Sequence, residues 1–251
     1  MGRIISIANQ KGGVGKTTTA VNLSASLAAA EKACLLIDCD PQGNATTGLG
    51  IDRLSLEKGL YNLLIGDGEE AITELGFSGL HLMGATPDLI GAEVEMVSME
   101  DKEFRLRRGL QDLRKKYDYI LLDCPPSLGF LTVNALTASD SVLIPLQCEY
   151  YALEGLTQLL NTVTAVRKGL NPSLKIERIL LTMYDKRNNL ALQVAEDVQA
   201  HFVGSVFKTI IPRNVRLSEA PSHGKPILLY DIRSKGAQSY LALARELIGK
   251  D

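Results

Sequence analysis

The chain is poor in the residues that build clustered metal sites. Its four cysteines, Cys34, Cys39, Cys124 and Cys148, form no C-x-x-C pair and have no histidine cluster beside them, so they read as reduced, partly buried thiols. The three histidines, His81, His201 and His223, have neither metal spacing nor a catalytic arrangement. No apolar run reaches membrane-spanning length and no signal segment is present, so a cytoplasmic protein is expected. Repeats, low-complexity tracts and linkers are missing too, which points to a single domain over residues 1–251. Net charge is almost lacking at −2, but it is unevenly placed. Residues 165–251 carry 14 Lys/Arg against 8 Asp/Glu, whereas residues 1–164 carry 13 against 21. A basic final third on an acidic body hints at a surface for a polyanion.

What is present is an alternation of short apolar runs and helical patterns in a chain that is 45% hydrophobic. Strands are expected at residues 3–8, 33–38, 80–85, 119–123, 141–145, 176–183 and 206–211. Helices are expected at 17–31, 103–116, 153–168, 190–202 and 236–248. Residues 51–79 read as surface loops with one short helix near 56–65. Runs apolar on both faces suit a sheet covered on each side, so the fold class is α/β: doubly wound, mainly parallel and flanked by helices. Ligands in such sheets bind outside the carboxyl ends of the strands.

The first strand runs into Asn9-Gln10-Lys11-Gly12-Gly13-Val14-Gly15-Lys16-Thr17-Thr18. Glycines there let backbone N–H groups turn around phosphate oxygens, and a helix start adds partial positive charge. Lys16 is placed to reach the β- and γ-phosphates and Thr17 to meet Mg²⁺. The strict phosphate-loop pattern fails because Gln10 stands where its first glycine belongs, and a second lysine, Lys11, precedes the glycines. Two further strands end in acids: Asp38 and Asp40 in Asp38-Cys39-Asp40-Pro41-Gln42-Gly43-Asn44, and Asp123 in Asp123-Cys124-Pro125-Pro126. Three acids and the loop converge on one sheet edge, where Mg²⁺ and an attacking water must be held.

These stretches resemble the deviant Walker A, Walker A′ and Walker B motifs of the ParA/MinD ATPases, and within them the chromosomal ParA (Soj-type) partition proteins. Residues 145–155, 182–189 and 211–221 extend the likeness over nearly the whole chain. The P-loop NTPase-like resemblance implies a single ParA-type domain that binds ATP and Mg²⁺. It implies that Lys11 reaches phosphates of a partner subunit, so that ATP makes a homodimer. Its site is Lys11, Gly12, Gly13, Val14, Gly15, Lys16, Thr17 and Thr18, with Pro212, Arg213 and Asn214 against adenine. Lys11, Lys16 and Asp40 would be catalytic, and Thr17, Asp38 and Asp123 would face the metal. An aspartate in the position of Asp40 is a weak base, so slow hydrolysis is expected, and the resemblance implies that a partner stimulates it. That partner would be a ParB-type centromere-binding protein, on a nucleoid-associated dimer.

The resemblance also marks Arg187, Lys208, Arg213 and Arg216 as contacts to double-stranded DNA without sequence preference. No recognition helix or zinc motif supports base reading. A MinD-type membrane-associated positioning ATPase is the alternative. It would need a basic amphipathic tail helix, whereas residues 239–251 carry few basic residues and apolar ones that can pack on the sheet, so no membrane partner is expected. An iron–sulfur reductase of related fold, a bacterial tyrosine kinase and a metabolic synthetase lack support: Cys124 sits in the Walker B position, the tail is not tyrosine-rich, and no substrate-binding insertion is visible.

Overall fold

The computed structural model describes residues 1–66, 71–150 and 152–249. Residues 67–70, within the expected loop region, and Tyr151, Lys250 and Asp251, within segments quoted above, lie outside the described residues. In chain order the elements begin β1 (Arg3–Ile7), α1 (Lys16–Ala29), β2 (Cys34–Asp38), α2 (Asn44–Gly48), α3 (Leu60–Ile65), β3 (Thr73–Glu74), β4 (Leu80–Met83) and α4 (Leu89–Met96). There follow α5 (Arg105–Gly109), α6 (Leu113–Lys116), β5 (Tyr119–Asp123), α7 (Phe130–Ala138), β6 (Ser141–Gln147), α8 (Ala152–Gly169), β7 (Lys175–Thr182) and α9 (Asn189–His201). The chain closes with α10 (Val215–Glu219), α11 (Ile227–Tyr230) and α12 (Lys235–Ile248).

Seven strands form one sheet in the order β3-β4-β2-β5-β1-β6-β7. All neighbours are parallel except the short β3, which runs antiparallel to β4. Apart from the short β3 and the start of β7 the strands are largely buried, and two apolar clusters, one per face, cover the sheet. The doubly wound, mainly parallel architecture expected from the apolar runs is therefore present. Chain direction in the sheet reverses around β1, so the loop after β1 opens at a switch point, where such folds bind ligands.

Three expectations need correction. Residues 206–211 form no strand. The N–H groups of Phe207 and Ile211 do bond β7, at 2.9 Å to Ile179 O and 2.9 Å to Leu181 O. Between them, however, the N–H groups of Lys208 and Thr209 donate to the Glu246 carboxylate of α12, at 2.8 and 2.9 Å. The helix expected over 103–116 breaks into a 3₁₀ turn, α5 and α6. Gly109 packs so closely that a Cβ there would lie 2.6 Å from Leu63 Cγ, and packing wins over helix continuity. The short helix starts at Leu60, not near 56, because Gly59 lies against the Gly84 carbonyl, where a Cβ would come within 2.4 Å. No helix among the described residues is long and apolar enough to cross a membrane.

Candidate nucleotide site

The loop after β1 is held from three sides. Asn9 donates to Pro145 O at 2.7 Å and accepts from the Lys11 N–H at 3.0 Å. Thr182 at the end of β7 donates to Val14 O at 2.8 Å. Gly13 and Gly15 take φ of 75° and 87°, the left-handed region that glycine enters without a Cβ clash. Gly15 then hands over to α1, whose first residue is Lys16. Lys16 is buried and donates to Lys11 O at 3.0 Å. Burial lowers its pKa, an effect opposed by the charge of Asp123.

A cleft of about 810 Å³ opens over this loop. Its lining includes Gly12, Gly13, Gly15, Lys16, Thr17, Thr18 and Asp40 on one side, and Pro212, Arg213 and Asn214 on the other. Met183, at a φ of 48°, completes the second wall. Val14 is buried behind the loop. Lys11 does not line this cleft: it is partly exposed and pairs with Glu149 at 2.8 Å. The two lysines thus face different ways, Lys16 inward and Lys11 out.

Asp38 and Asp123 sit in register on neighbouring strands and both are fully buried. Asp38 accepts from Thr46 N at 2.8 Å, Thr46 Oγ1 at 2.7 Å and Asp40 N at 3.2 Å. Burial nevertheless pushes its pKa up to about 6. Among the described residues, neither oxygen of Asp123 has a hydrogen-bond partner. Burial raises its pKa well above the usual carboxylate range, and the charge of Asp38 adds to the rise. The Thr17 hydroxyl and Lys16 ammonium oppose the shift without closing a hydrogen bond of ordinary geometry. A buried anion with open lone pairs asks for a cation. Among the described residues no three His, Cys, Asp or Glu side chains form a metal cage, but Mg²⁺ held with phosphates needs only one or two protein groups. Thr17 and Asp123 fit that requirement.

Asp40 is 7% exposed at the cleft wall, and its carboxylate accepts from Gln42 N at 2.9 Å. Of the arginines expected to meet a polyanion, Arg187, Arg213 and Arg216 are exposed at the nucleotide edge. Arg187 pairs with Asp185 at 2.7 Å and Arg216 with Glu219 at 2.8 Å. Lys208 is exposed at the other end of the 206–212 segment and does not join them. The cysteines flanking the acids, Cys39 and Cys124, are buried, and burial raises both thiols, Cys124 to about 12. Residues that sequence reasoning missed include Thr46, which ties Asp38 to Ala85, and Arg53, which binds the Asp40 turn. Their partners lie in other loops, so no local pattern marks them.

A model of the AAA domain matches residues 2–176. The chromosome partitioning protein ParA of Myxococcus xanthus is 60% identical over 253 residues, covering 100% of this chain and 89% of that protein. The sporulation initiation inhibitor protein Soj of Bacillus subtilis is 59% identical over 249 residues, covering 98% of each. Among solved structures, the cobyrinic acid a,c-diamide synthase of Mycobacterium smegmatis with bound ADP and magnesium superimposes with a TM-score of 0.87 at 37% identity, covering 99% of this chain and 94% of that one. Motifs, sheet order and full-length identity agree: the chain belongs to the ParA/Soj family of chromosome-partitioning P-loop ATPases.

Proposed function

We propose that the protein is a DNA-partition ATPase. It binds ATP with Mg²⁺ in the cleft, pairs with a second copy, and as a dimer grips duplex DNA without sequence preference. A ParB-type centromere-binding partner stimulates slow hydrolysis and releases it from the nucleoid. The observation that carries this reading is the opposite orientation of the two lysines. Lys16 serves the protomer's own cleft, while Lys11 points away and, among the described residues, is held by a part-exposed ion pair with Glu149. Such a pair is worth about 0–1 kcal/mol, so a triphosphate on a facing subunit can replace Glu149 as its partner.

In the cleft, Gly12 to Thr18 would cradle the phosphates and Pro212 to Asn214 would meet adenine. Lys16 and, from the partner, Lys11 would neutralise charge that builds in the transition state. Asp40 would orient the attacking water. Mg²⁺, when bound by Thr17 and Asp123, supplies charge neutralisation on the phosphates, and Asp38 supports that side from beneath. Arg187, Arg213 and Arg216 would contact DNA phosphates, with Lys208 a more distant contributor. Pairing two such faces doubles the phosphate contacts, and affinity rises because they act together. Relatives named for chromosome partition are 52–60% identical, against 37% for the diamide synthase, and this favours partition over amidation.

The test is binding to random duplex DNA with ATP, ADP or no nucleotide, at several salt concentrations, for wild type and Lys11→Ala. Wild type should bind only with ATP, more weakly as salt rises. Lys11→Ala should bind ATP yet lose both the dimer and the DNA. An ATP dimer that survives in Lys11→Ala by sedimentation, DNA binding indifferent to nucleotide, or ATP-dependent co-sedimentation with liposomes in place of DNA would each overturn the reading.

A further inference from the structure

Arg53 lies just beyond α2, in a stretch with no recognisable motif. Every hydrogen bond of its guanidinium goes to a main-chain carbonyl. Nη1 donates to Gln42 O at 2.7 Å, Nη2 to Pro41 O at 2.7 Å and, more loosely, to Thr86 O at 3.5 Å. The side chain fits so closely over the turn that a Cβ on Gly43 would lie 3.1 Å from Arg53 Nε. Gly43 takes a φ of 66° there, so a glycine suits the turn twice over.

The Pro41 carbonyl and the Gln42 N–H belong to the same peptide unit. Its oxygen is held by Arg53 and its N–H donates to Asp40 Oδ1 at 2.9 Å. A cation on one end of a peptide strengthens donation from the other, because linked hydrogen bonds polarise one another. The relay runs from the guanidinium through one rigid plane to the carboxylate at the cleft wall. The third contact, to Thr86, and the Thr46 hydroxyl that accepts from Ala85 N at 3.0 Å anchor the same turn to the loop after β4.

We infer that Arg53 is a positioning residue for ATP hydrolysis: through the Pro41–Gln42 peptide it fixes the orientation in which Asp40 meets the attacking water. The inference rests on the role proposed for Asp40. A small rotation of that carboxylate is costly in rate, since reacting groups must sit within a fraction of an ångström of productive geometry. Arg53 does not line the cleft, so ATP affinity should be indifferent to it.

Turnover and ATP binding are measured for wild type, Arg53→Ala, Arg53→Lys and Asp40→Ala, and for Arg53→Ala in the Asp40→Ala background. Arg53→Ala should lower kcat about tenfold while KM for ATP stays within about twofold. Arg53→Lys, keeping charge but not the two-pronged donor, should fall between, and added methylguanidinium should restore part of the Arg53→Ala rate. In the Asp40→Ala background, removing Arg53 should cost nothing more. The positioning role is overturned by an equal loss of kcat in both backgrounds. It is overturned too by KM and thermal midpoint shifting in step with kcat, or by unchanged kcat in Arg53→Ala beside an impaired Asp40→Ala. Wild-type turnover in Asp40→Ala would instead remove the role of Asp40 itself, and the inference with it.

Discussion

Asp38 and Asp123 look alike in sequence and end up in different surroundings. Each closes an apolar strand, each is fully buried, and they stand side by side in register. Asp38 accepts three hydrogen bonds, two of them from Thr46. Asp123 accepts none. The first carboxylate is a strut that ties the start of α2 to the end of β2. The second is an anion kept short of partners at the mouth of the phosphate loop, which destabilises the protein alone and favours whatever cation comes with the phosphates. The two carboxylates therefore differ less in burial or charge than in the hydrogen-bond partners each is denied.

The sharpest way to break the comparison is to remove each charge in turn. Asp123→Asn should weaken Mg²⁺-dependent ATP binding by about a hundredfold, in line with loss of a ligand and its charge. Above the pH at which Asp123 ionises, the same change should leave the nucleotide-free protein more stable, by about 1–2 kcal/mol, because an uncompensated buried charge is gone. Urea unfolding with and without Mg²⁺–ATP measures both effects. A destabilised Asp123→Asn that still binds Mg²⁺–ATP would reverse the assignment.

Acidity gives the next largest effect. Asp38 has a folded pKa of about 6, above its ordinary 3.8, and that of Asp123 is raised in the same direction. A folded pKa above the unfolded one means protonation favours the fold, so stability is fullest below pH 3.8 and is lost as pH climbs through about 6. For Asp38 alone the loss is about 3 kcal/mol, at 1.36 kcal/mol for each pH unit of displacement. Measured from pH 3 to pH 7 without nucleotide, wild type should lose at least that much relative to a double Asp38→Asn, Asp123→Asn variant, since Asp123 adds to the loss in the same direction. Parallel profiles for the two proteins would show that the pair does not titrate in the fold.

Much of this was legible in the sequence, and the reasons for the rest are physical. Strands buried in the sheet announced themselves as unbroken apolar runs, so β1, β2, β4, β5, β6 and β7 could be read within a residue or two. The glycine loop and the three acids were legible because phosphate chemistry restricts which residues can stand there. Helix α7 was missed because it is buried nearly all round and has no polar stripe. Helix α4 was missed for the opposite reason: Ile90, Val94 and Val97 face solvent, which blurs the helical period. β3 is only two residues long. Thr46 and Arg53 were invisible because their partners, Asp38 and Ala85 for one and Pro41, Gln42 and Thr86 for the other, meet only after folding. The distinction between Asp38 and Asp123 was invisible for the same reason.

A change at the strut should disturb ATP binding less than any at Asp123. Asp38→Asn keeps the shape but turns an amide N–H₂ toward one of the donors that the carboxylate accepts, so it should cost about 1–3 kcal/mol of stability. ATP binding should weaken only as far as the turn carrying Asp40 loosens.

Thr46→Val tests the same strut from the other end and should have the smallest effect. Valine matches the shape of threonine and leaves the Thr46 N–H bond to Asp38 in place, but it removes the hydroxyl that donates to Asp38 and accepts from Ala85 N. One hydrogen bond of about 1 kcal/mol is lost and one buried N–H is left without a partner, so the expected cost is about 1–2 kcal/mol by urea unfolding. Because Thr46 links the Asp40 turn to the loop after β4, kcat should fall more than ATP affinity. A Thr46→Ser variant, which keeps the hydroxyl, should recover both. If Thr46→Val lowers ATP affinity as much as Asp123→Asn does, the two carboxylates are one functional unit, and the contrast between strut and cation site dissolves.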